Sequence, residues 1–170
     1  MANTYVKISS YTASTAVATI DFSSIPSTYT DLIVKVSSRS STATFPTNLR
    51  MYFNATGGTG YSFRILRGSG SAATSINSSG NDHIQIDNTD AVSATASTFD
   101  NTEVYIPNYA GSNAKSVSSD GVSENNATEA YAQLAAGLWT TTAINQITLS
   151  LAAGNFVQYS TATLYGILKS

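Results

Sequence analysis

Residues 48–68 read NLRMYFNATGGTGYSFRILRG, and two alternating runs within this stretch decide the fold class. In the first run Leu49 and Met51 alternate with Arg and Tyr, and in the second Phe63 and Ile65 alternate with Ser and Arg. Because side chains two residues apart lie on one face of a β-strand, each run predicts a half-buried strand. The glycine-rich stretch between the runs predicts a turn, so we expect the two strands to form a hairpin.

The same alternation continues along most of the chain and predicts an all-β protein. Residues 127–139, ATEAYAQLAAGLW, fit either an amphipathic helix or a strand, and Gly137 together with the strand-like surroundings favours the strand. Residues 68–81, GSGSAATSINSSGN, predict a long polar loop. We expect one domain over residues 1–170, an antiparallel, jelly-roll-like β-sandwich of about ten strands. The further predicted strands are residues 5–9, 17–22, 30–40, 83–87, 99–106, 115–119, 144–151 and 162–168.

The composition excludes several classes of partner. Charged residues make up 11% of the 170 residues, less than half the usual share, and the net charge is −2. Since no basic stripe is available to neutralise phosphates, we expect no nucleic-acid partner. The chain has no cysteine, and it contains neither an 18-residue apolar stretch nor a signal-peptide pattern. We therefore expect no disulfide, no membrane partner and synthesis without export.

Residues suited to chemistry are few. The single histidine, His83, lies between Asp82 and Asp87, but no nucleophile-elbow motif accompanies it. The oxygen-rich runs DNTD at 87–90 and SSDGVSEN at 118–125 do not have EF-hand spacing, and Asx-turns are a sufficient explanation for them. We therefore predict that the protein is not an enzyme, with no catalytic residue, no metal site and no cofactor.

Aromatic side chains are the remaining candidates for recognition. Tyr105 and Tyr109 flank Pro107 where a strand is expected to end, which predicts two anchors at the rim of a sheet. Trp139 is either a core residue or a contact for a partner or a glycan. The polar loop offers Ser71 and Asn77 as further contacts of this kind.

Several stretches of the chain resemble a group of small virion structural proteins of tailed bacteriophages, prominent among cyanophages. The resemblance runs from about residue 20 to the end, and its most distinctive phrases are residues 21–31, YIPNY at 105–109 and TATLYGI at 161–167. The longer similar stretches begin IDFSSIPSTYTDLIVKV at residue 20, LRMYFNATGG at residue 49, EVYIPNYAGSNAKSV at residue 103 and NFVQYSTATLYGILKS at residue 155.

The resemblance implies a protein of the virion, made in the host cytoplasm, that packs against the major capsid protein or other virion proteins. It implies a capsid cement or decoration protein, or alternatively a tail fibre or a receptor- or carbohydrate-binding module of the tail. The absence of a long repetitive shaft favours the cement protein. Because phage shells have threefold positions, the resemblance also implies a homotrimer. It supplies no catalytic residues.

Overall fold

The computed structural model describes residues 4–54, 58–126, 130–140 and 142–168. These residues form twelve β-strands and no helix, so none of them belongs to a helix that could cross a membrane. The strands are β1 (Tyr5–Thr12), β2 (Thr19–Phe22), β3 (Asp31–Ser37), β4 (Thr47–Phe53), β5 (Tyr61–Gly68), β6 (Ala73–Asn81), β7 (Ile84–Thr89), β8 (Asn101–Ile106), β9 (Lys115–Ser123), β10 (Tyr131–Trp139), β11 (Ile147–Leu151) and β12 (Thr161–Ile167).

The strands form two antiparallel sheets of unequal size. The large sheet has eight strands in the order β1-β12-β3-β8-β9-β10-β5-β6, and the small sheet has four in the order β2-β11-β4-β7. This arrangement confirms the predicted antiparallel β-sandwich. The small sheet covers one face of the large sheet, with β7 packed against β9 and β10. We call the opposite face of the large sheet the outer face.

A single apolar core fills the space between the sheets. Alternating residues of the strands point inward, as Leu49 and Met51 do on β4 and Phe63 and Ile65 do on β5. Each fully buried side chain of this size contributes about 1.5–3 kcal/mol to folding. The alternation in the sequence therefore identified the buried face of each of these strands correctly.

The predicted hairpin between the two alternating runs is wrong. β4 lies in the small sheet between β11 and β7, whereas β5 lies in the large sheet between β10 and β6. The chain thus crosses from one sheet to the other between Phe53 and Tyr61, a segment in which residues 55–57 lie outside the described part. Period-two alternation identifies two strands that share a core, and it is equally compatible with pairing in one sheet or packing across two.

The predicted polar loop at residues 68–81 is also largely wrong. Its second part is β6, which pairs with β5 from Gly68 opposite Ala73 to Tyr61 opposite Asn81. The turn itself is short, with the Ser69 amide donating to the Ala72 carbonyl oxygen at 2.9 Å. β5 therefore forms its hairpin with β6, the strand that follows it. The strand predicted within residues 127–139 is confirmed as β10, although residues 127–129 lie outside the described part.

Candidate functional site

The outer face of strands β9, β10 and β5 carries the largest exposed aliphatic side chains of the large sheet. Leu134 on β10 is 60% exposed, and Leu66 on β5 is 56% exposed. Val122 on β9 and Leu138 on β10 are each about half exposed. An exposed apolar surface of this kind is a candidate contact surface for another molecule.

The strand register brings these residues together. Leu134 lies directly opposite Leu66 on one side, and Ala132 lies opposite Val122 on the other side of β10. Gly68, Ala132 and Ala136 occupy neighbouring outward positions, so the leucines, the valine and two charged side chains are what project from an otherwise flat surface. A shallow groove of about 450 Å³ runs over this region, with Leu66, Val122 and Leu134 in its lining.

Two charged residues lie among the outward positions of β9, β10, β5 and β6, all of which are described. Arg64 on β5 lies opposite Ala136, and Asp120 on β9 lies opposite Leu134. The two charges therefore lie on opposite sides of β10. The remaining outward residues are Leu, Val, Ala, Gly, Ser and Asn. We call this region, the outward residues of β9, β10, β5 and β6, the neutral face.

The other half of the outer face is different in character. Lys35 on β3 and Glu103 on β8 form an exposed ion pair of 2.8 Å. The Glu103 carboxylate raises the pKa of Lys35 through this hydrogen bond. Tyr105 lies beside them on β8, 37% exposed, and its hydroxyl donates to Asp31 Oδ2 at 2.8 Å. This hydrogen bond raises the pKa of Tyr105.

Tyr109 is not a rim anchor, since it is completely buried. β8 does end at Ile106, immediately before Pro107, as predicted. The chain then folds the Tyr109 ring into the core, where its hydroxyl donates to the Pro26 carbonyl oxygen. Burial raises the pKa of Tyr109. A buried ring with a bonded hydroxyl has no surface to offer a partner, so the prediction that Tyr109 contacts a partner or glycan is corrected.

Trp139 packs at the end of the sandwich in a group of aromatic rings. Its ring centroid lies 5.3 Å from that of Phe53 and 5.8 Å from that of Tyr61, on which it stacks. The Tyr61 hydroxyl is fixed by the Phe53 amide, which donates to it at 2.8 Å. A cavity of about 320 Å³ opens beside these rings and is lined by Asn54 and Thr140 among others. Trp139 is thus both a core neighbour and a partly exposed wall of this cavity.

Ser71 and Asn77 are both exposed, as the sequence predicted for candidate contacts. Ser71 lies in the β5–β6 turn, where its hydroxyl is 3.2 Å from that of Ser69. Asn77 lies on β6, opposite Arg64 and therefore on the neutral face. The structure does not bring these two residues together with Tyr105 or Trp139 in one site.

A buried group of polar residues lies between the sheets, and no pattern in the sequence indicated it. Asp87 accepts hydrogen bonds from Thr102 Oγ1 at 2.5 Å and from the Asn88 amide at 2.7 Å. Burial raises the pKa of Asp87 to about 7, and the nearby carboxylates of Asp120 and Asp90 add to the rise. The DNTD run is therefore part of a buried strand end, and the predicted Asx-turn is wrong for it.

Asp100 lies in the same group and is 1% exposed. The Ser38 amide and hydroxyl both donate to its carboxylate, at 2.6 and 2.8 Å. Burial nevertheless raises the pKa of Asp100 well above its usual value. Among the described residues no group of three or more His, Cys, Asp or Glu side chains is arranged to hold a metal ion. The buried polar residues around Asp87 and Asp100 therefore form hydrogen bonds within the protein interior.

His83 immediately precedes β7 and has a local partner. Its Nδ1 atom is 2.5 Å from Asp82 Oδ1, and this contact lowers the pKa of Asp82. The imidazole ring also packs near the rings of Tyr52 and Phe63. These contacts place His83 in an aromatic setting beside an exposed carboxylate.

No known protein family matches this chain, and no curated protein matches it either. The β-sandwich and the surfaces described above are therefore the basis for a functional proposal.

Proposed function

We propose that this protein is a non-enzymatic structural protein that stabilises a particle by packing against other proteins. The specific role we propose is a capsid cement or decoration protein of a tailed bacteriophage, located in the virion after synthesis in the host cytoplasm. Its partners would be the major capsid protein or other virion proteins. The observation that carries the proposal is the neutral face, where Leu66, Leu134 and Leu138 lie half exposed to solvent.

This face is suited to permanent contact with protein. Half-exposed leucines on a flat sheet gain about 25 cal/mol for each Å² of apolar surface that a partner removes from water. With Arg64 and Asp120 as its charged residues, the face has little to contribute to electrostatic attraction. Affinity would depend on packing and direct hydrogen bonds, which suits a component that remains in place after assembly.

The phage assignment rests on the resemblance of the sequence, in particular on the phrases at residues 21–31, 105–109 and 161–167. The last of these phrases is β12, a strand between β1 and β3 in the large sheet. In the middle phrase, Ile106 and Tyr109 are buried in the core. The similar stretches thus include core residues and a strand of the large sheet.

An inventory of the proteins in purified particles tests the proposal. Antibodies against the protein should label the capsid, and washing at high ionic strength should leave the protein bound, because salt screens charges that the neutral face scarcely has. Release by salt alone, or absence from particles, would contradict the proposal.

The alternative function is a receptor- or carbohydrate-binding module of the phage tail. The observation that favours it is the cavity of about 320 Å³ beside Trp139, which combines an aromatic wall with the polar side chains of Asn54 and Thr140. Aromatic rings can stack on the apolar faces of sugars while neighbouring polar groups bond the hydroxyls.

Trp139 is the one tryptophan of the chain, so intrinsic fluorescence reports directly on this cavity. Titration with host-surface glycans should change the emission if the alternative is right. Antibody labelling of the tail and not the capsid would point the same way. Unchanged fluorescence across a glycan panel together with capsid labelling would exclude the alternative.

A further inference from the structure

We propose that the neutral face is a self-association surface, covered by the outer face of a second copy of this chain around a two-fold axis that lies above β10 and parallel to it. This inference rests on the proposed role of the face in protein packing and deepens it by naming the occupant. The threefold arrangement implied by the sequence resemblance would be replaced by a dimer.

The size of the face is sufficient for a dimer. With β5 of each copy over β9 of the other, β6 lies over β8, so five neighbouring strands of each copy overlap: β6, β5, β10, β9 and β8. Spaced about 4.8 Å apart, these strands give a surface of about 550 Å² in projection. Two copies packed face to face would then bury about 1,100 Å² in total, which is at the lower end of the range for specific interfaces. Small residues such as Ala132 and Ala136 leave room between Leu66 and Leu134 for the leucines of the opposing sheet.

The two charges select the orientation of the second copy. Arg64 lies on β5 and Asp120 on β9, one on each side of β10. A two-fold axis that lies in the interface directly above β10 places β5 of each copy over β9 of the other and β6 over β8, so that each arginine faces the half of the partner that carries the aspartate. The two residues are offset by one outward step, about 7 Å along the strands, and the sheets stack about 10 Å apart, within reach of extended arginine side chains.

The alternative two-fold axis, perpendicular to β10 and in the plane of the interface, would place β5 over β5 and β9 over β9. Arg64 would then face Arg64, and Asp120 would face Asp120, with nothing to offset the repulsion. An unrelated partner with an uncharged sheet would offer no opposite charge to either Arg64 or Asp120. The opposite signs on the two sides of β10 therefore fit a second copy of this chain in one orientation.

The test is a charge exchange between the two positions, followed by sedimentation equilibrium of the full chain. The wild-type protein should sediment as a dimer of the 17.8 kDa chain. Arg64→Glu and Asp120→Arg should each weaken the dimer at least about tenfold, because each places like charges together at both symmetric sites. An equimolar mixture of the two variants should recover a dimer close to wild-type affinity, since both sites of the heterodimer then pair opposite charges.

Lys7→Glu provides a matched control, because it makes a similar charge reversal at an exposed position on β1, the edge strand farthest from β6. This variant should dimerise like the wild type. Recovery in the mixture also requires that both variants are folded, so loss of folding cannot imitate the expected result. A wild-type monomer, a wild-type trimer, or a mixture that remains monomeric would each overturn the inference.

A second measurement separates this inference from the proposed function. Leu134→Ser removes an exposed leucine from the neutral face, and its incorporation into particles can be measured against wild type. If the charge exchange fails but Leu134→Ser still reduces incorporation, the dimer is refuted and packing through the neutral face stands. If neither change has an effect, both proposals are refuted.

Discussion

Stability of the protein should fall as pH rises from 5 to 8, and replacing Asp87 by Asn should remove much of this dependence. Asp87 lies between the sheets, with its carboxylate occupying the space above Gly121 of β9. Burial raises its pKa from the ordinary 3.8 to about 7. The folded state therefore retains a proton that the unfolded state loses.

The sign and size follow from linkage. Because the folded-state pKa lies above the unfolded one, the contribution of Asp87 is fully present below about pH 4 and is lost as pH rises through about 7. The whole change corresponds to about 4 kcal/mol, of which about 2–3 kcal/mol falls between pH 5 and pH 8. Burial also raises the pKa of Asp100, so Asp100 adds to the pH dependence of the unfolding free energy in both the wild type and Asp87→Asn.

Urea unfolding at pH 5 and pH 8 measures this difference. The loss of unfolding free energy between the two pH values should be smaller in Asp87→Asn than in the wild type by about 2–3 kcal/mol. Any constant cost of the amide group cancels in this comparison. Glu103→Gln, which removes a charge from an exposed ion pair, is the control. It should alter the loss of unfolding free energy between pH 5 and pH 8 by less than about 1 kcal/mol. Parallel pH profiles for the wild type and Asp87→Asn would refute the reasoning.

Three further substitutions test the packing. Gly121→Ala should destabilise the protein by about 3 kcal/mol or more, because a Cβ there would overlap the buried Asp87 carboxylate; Gly68→Ala, where a Cβ meets nothing within 4 Å, should be nearly neutral in the same urea titration. Phe156→Ala should cost about 3–5 kcal/mol in thermal or chemical unfolding, since the ring is completely buried, and a cost under about 1 kcal/mol would contradict its place in the core. Tyr109→Phe should lose about 1 kcal/mol, because the Pro26 carbonyl oxygen would lose its donor, and equal stability of the two proteins would argue against that hydrogen bond.

The sequence predicted the strands that have one buried and one polar face. On β3, β4 and β5 the alternation of large apolar residues with polar ones is a direct consequence of a sheet covered on one side. β6 could not be found in this way, because it lies at the edge of the large sheet and is largely exposed on both faces. Its Ser, Thr, Asn and Gly residues have the composition of a loop, and it is a strand because its backbone pairs with β5.

Local sequence patterns predicted neither which sheet each strand joins nor the buried polar group. Nothing in residues 48–68 determines that β4 and β5 lie in different sheets, since both simply need one buried face. No pattern in the sequence indicates that Asp87 and Asp100 are buried, because ionised carboxylates rarely lie in a core, and only the tertiary contacts with Thr102 and Ser38 make their burial tolerable.

The candidate surface could be predicted only in part. The low charge of the chain indicated a neutral surface, and Asn77 does lie on the neutral face. The leucines at positions 66, 134 and 138 were not singled out, because exposure depends on which face of β5 and β10 the small sheet covers. Tyr109 was mistaken for a rim residue because the strand end at Pro107 is visible in the sequence, whereas the inward course of the chain after it is not.

The central claim is that the neutral face is covered by protein in the assembled state, and covalent footprinting of side chains measures this directly. Arg64→Glu, which we expect to be monomeric, serves as the uncovered reference, and purified particles serve as the assembled state. We predict that Leu66, Leu134 and Leu138 are labelled in the reference and protected in particles, while exposed Tyr159, elsewhere on the surface, is labelled in the reference to the same extent as in the isolated wild-type protein. Equal labelling of the three leucines in particles and in the reference would contradict the account.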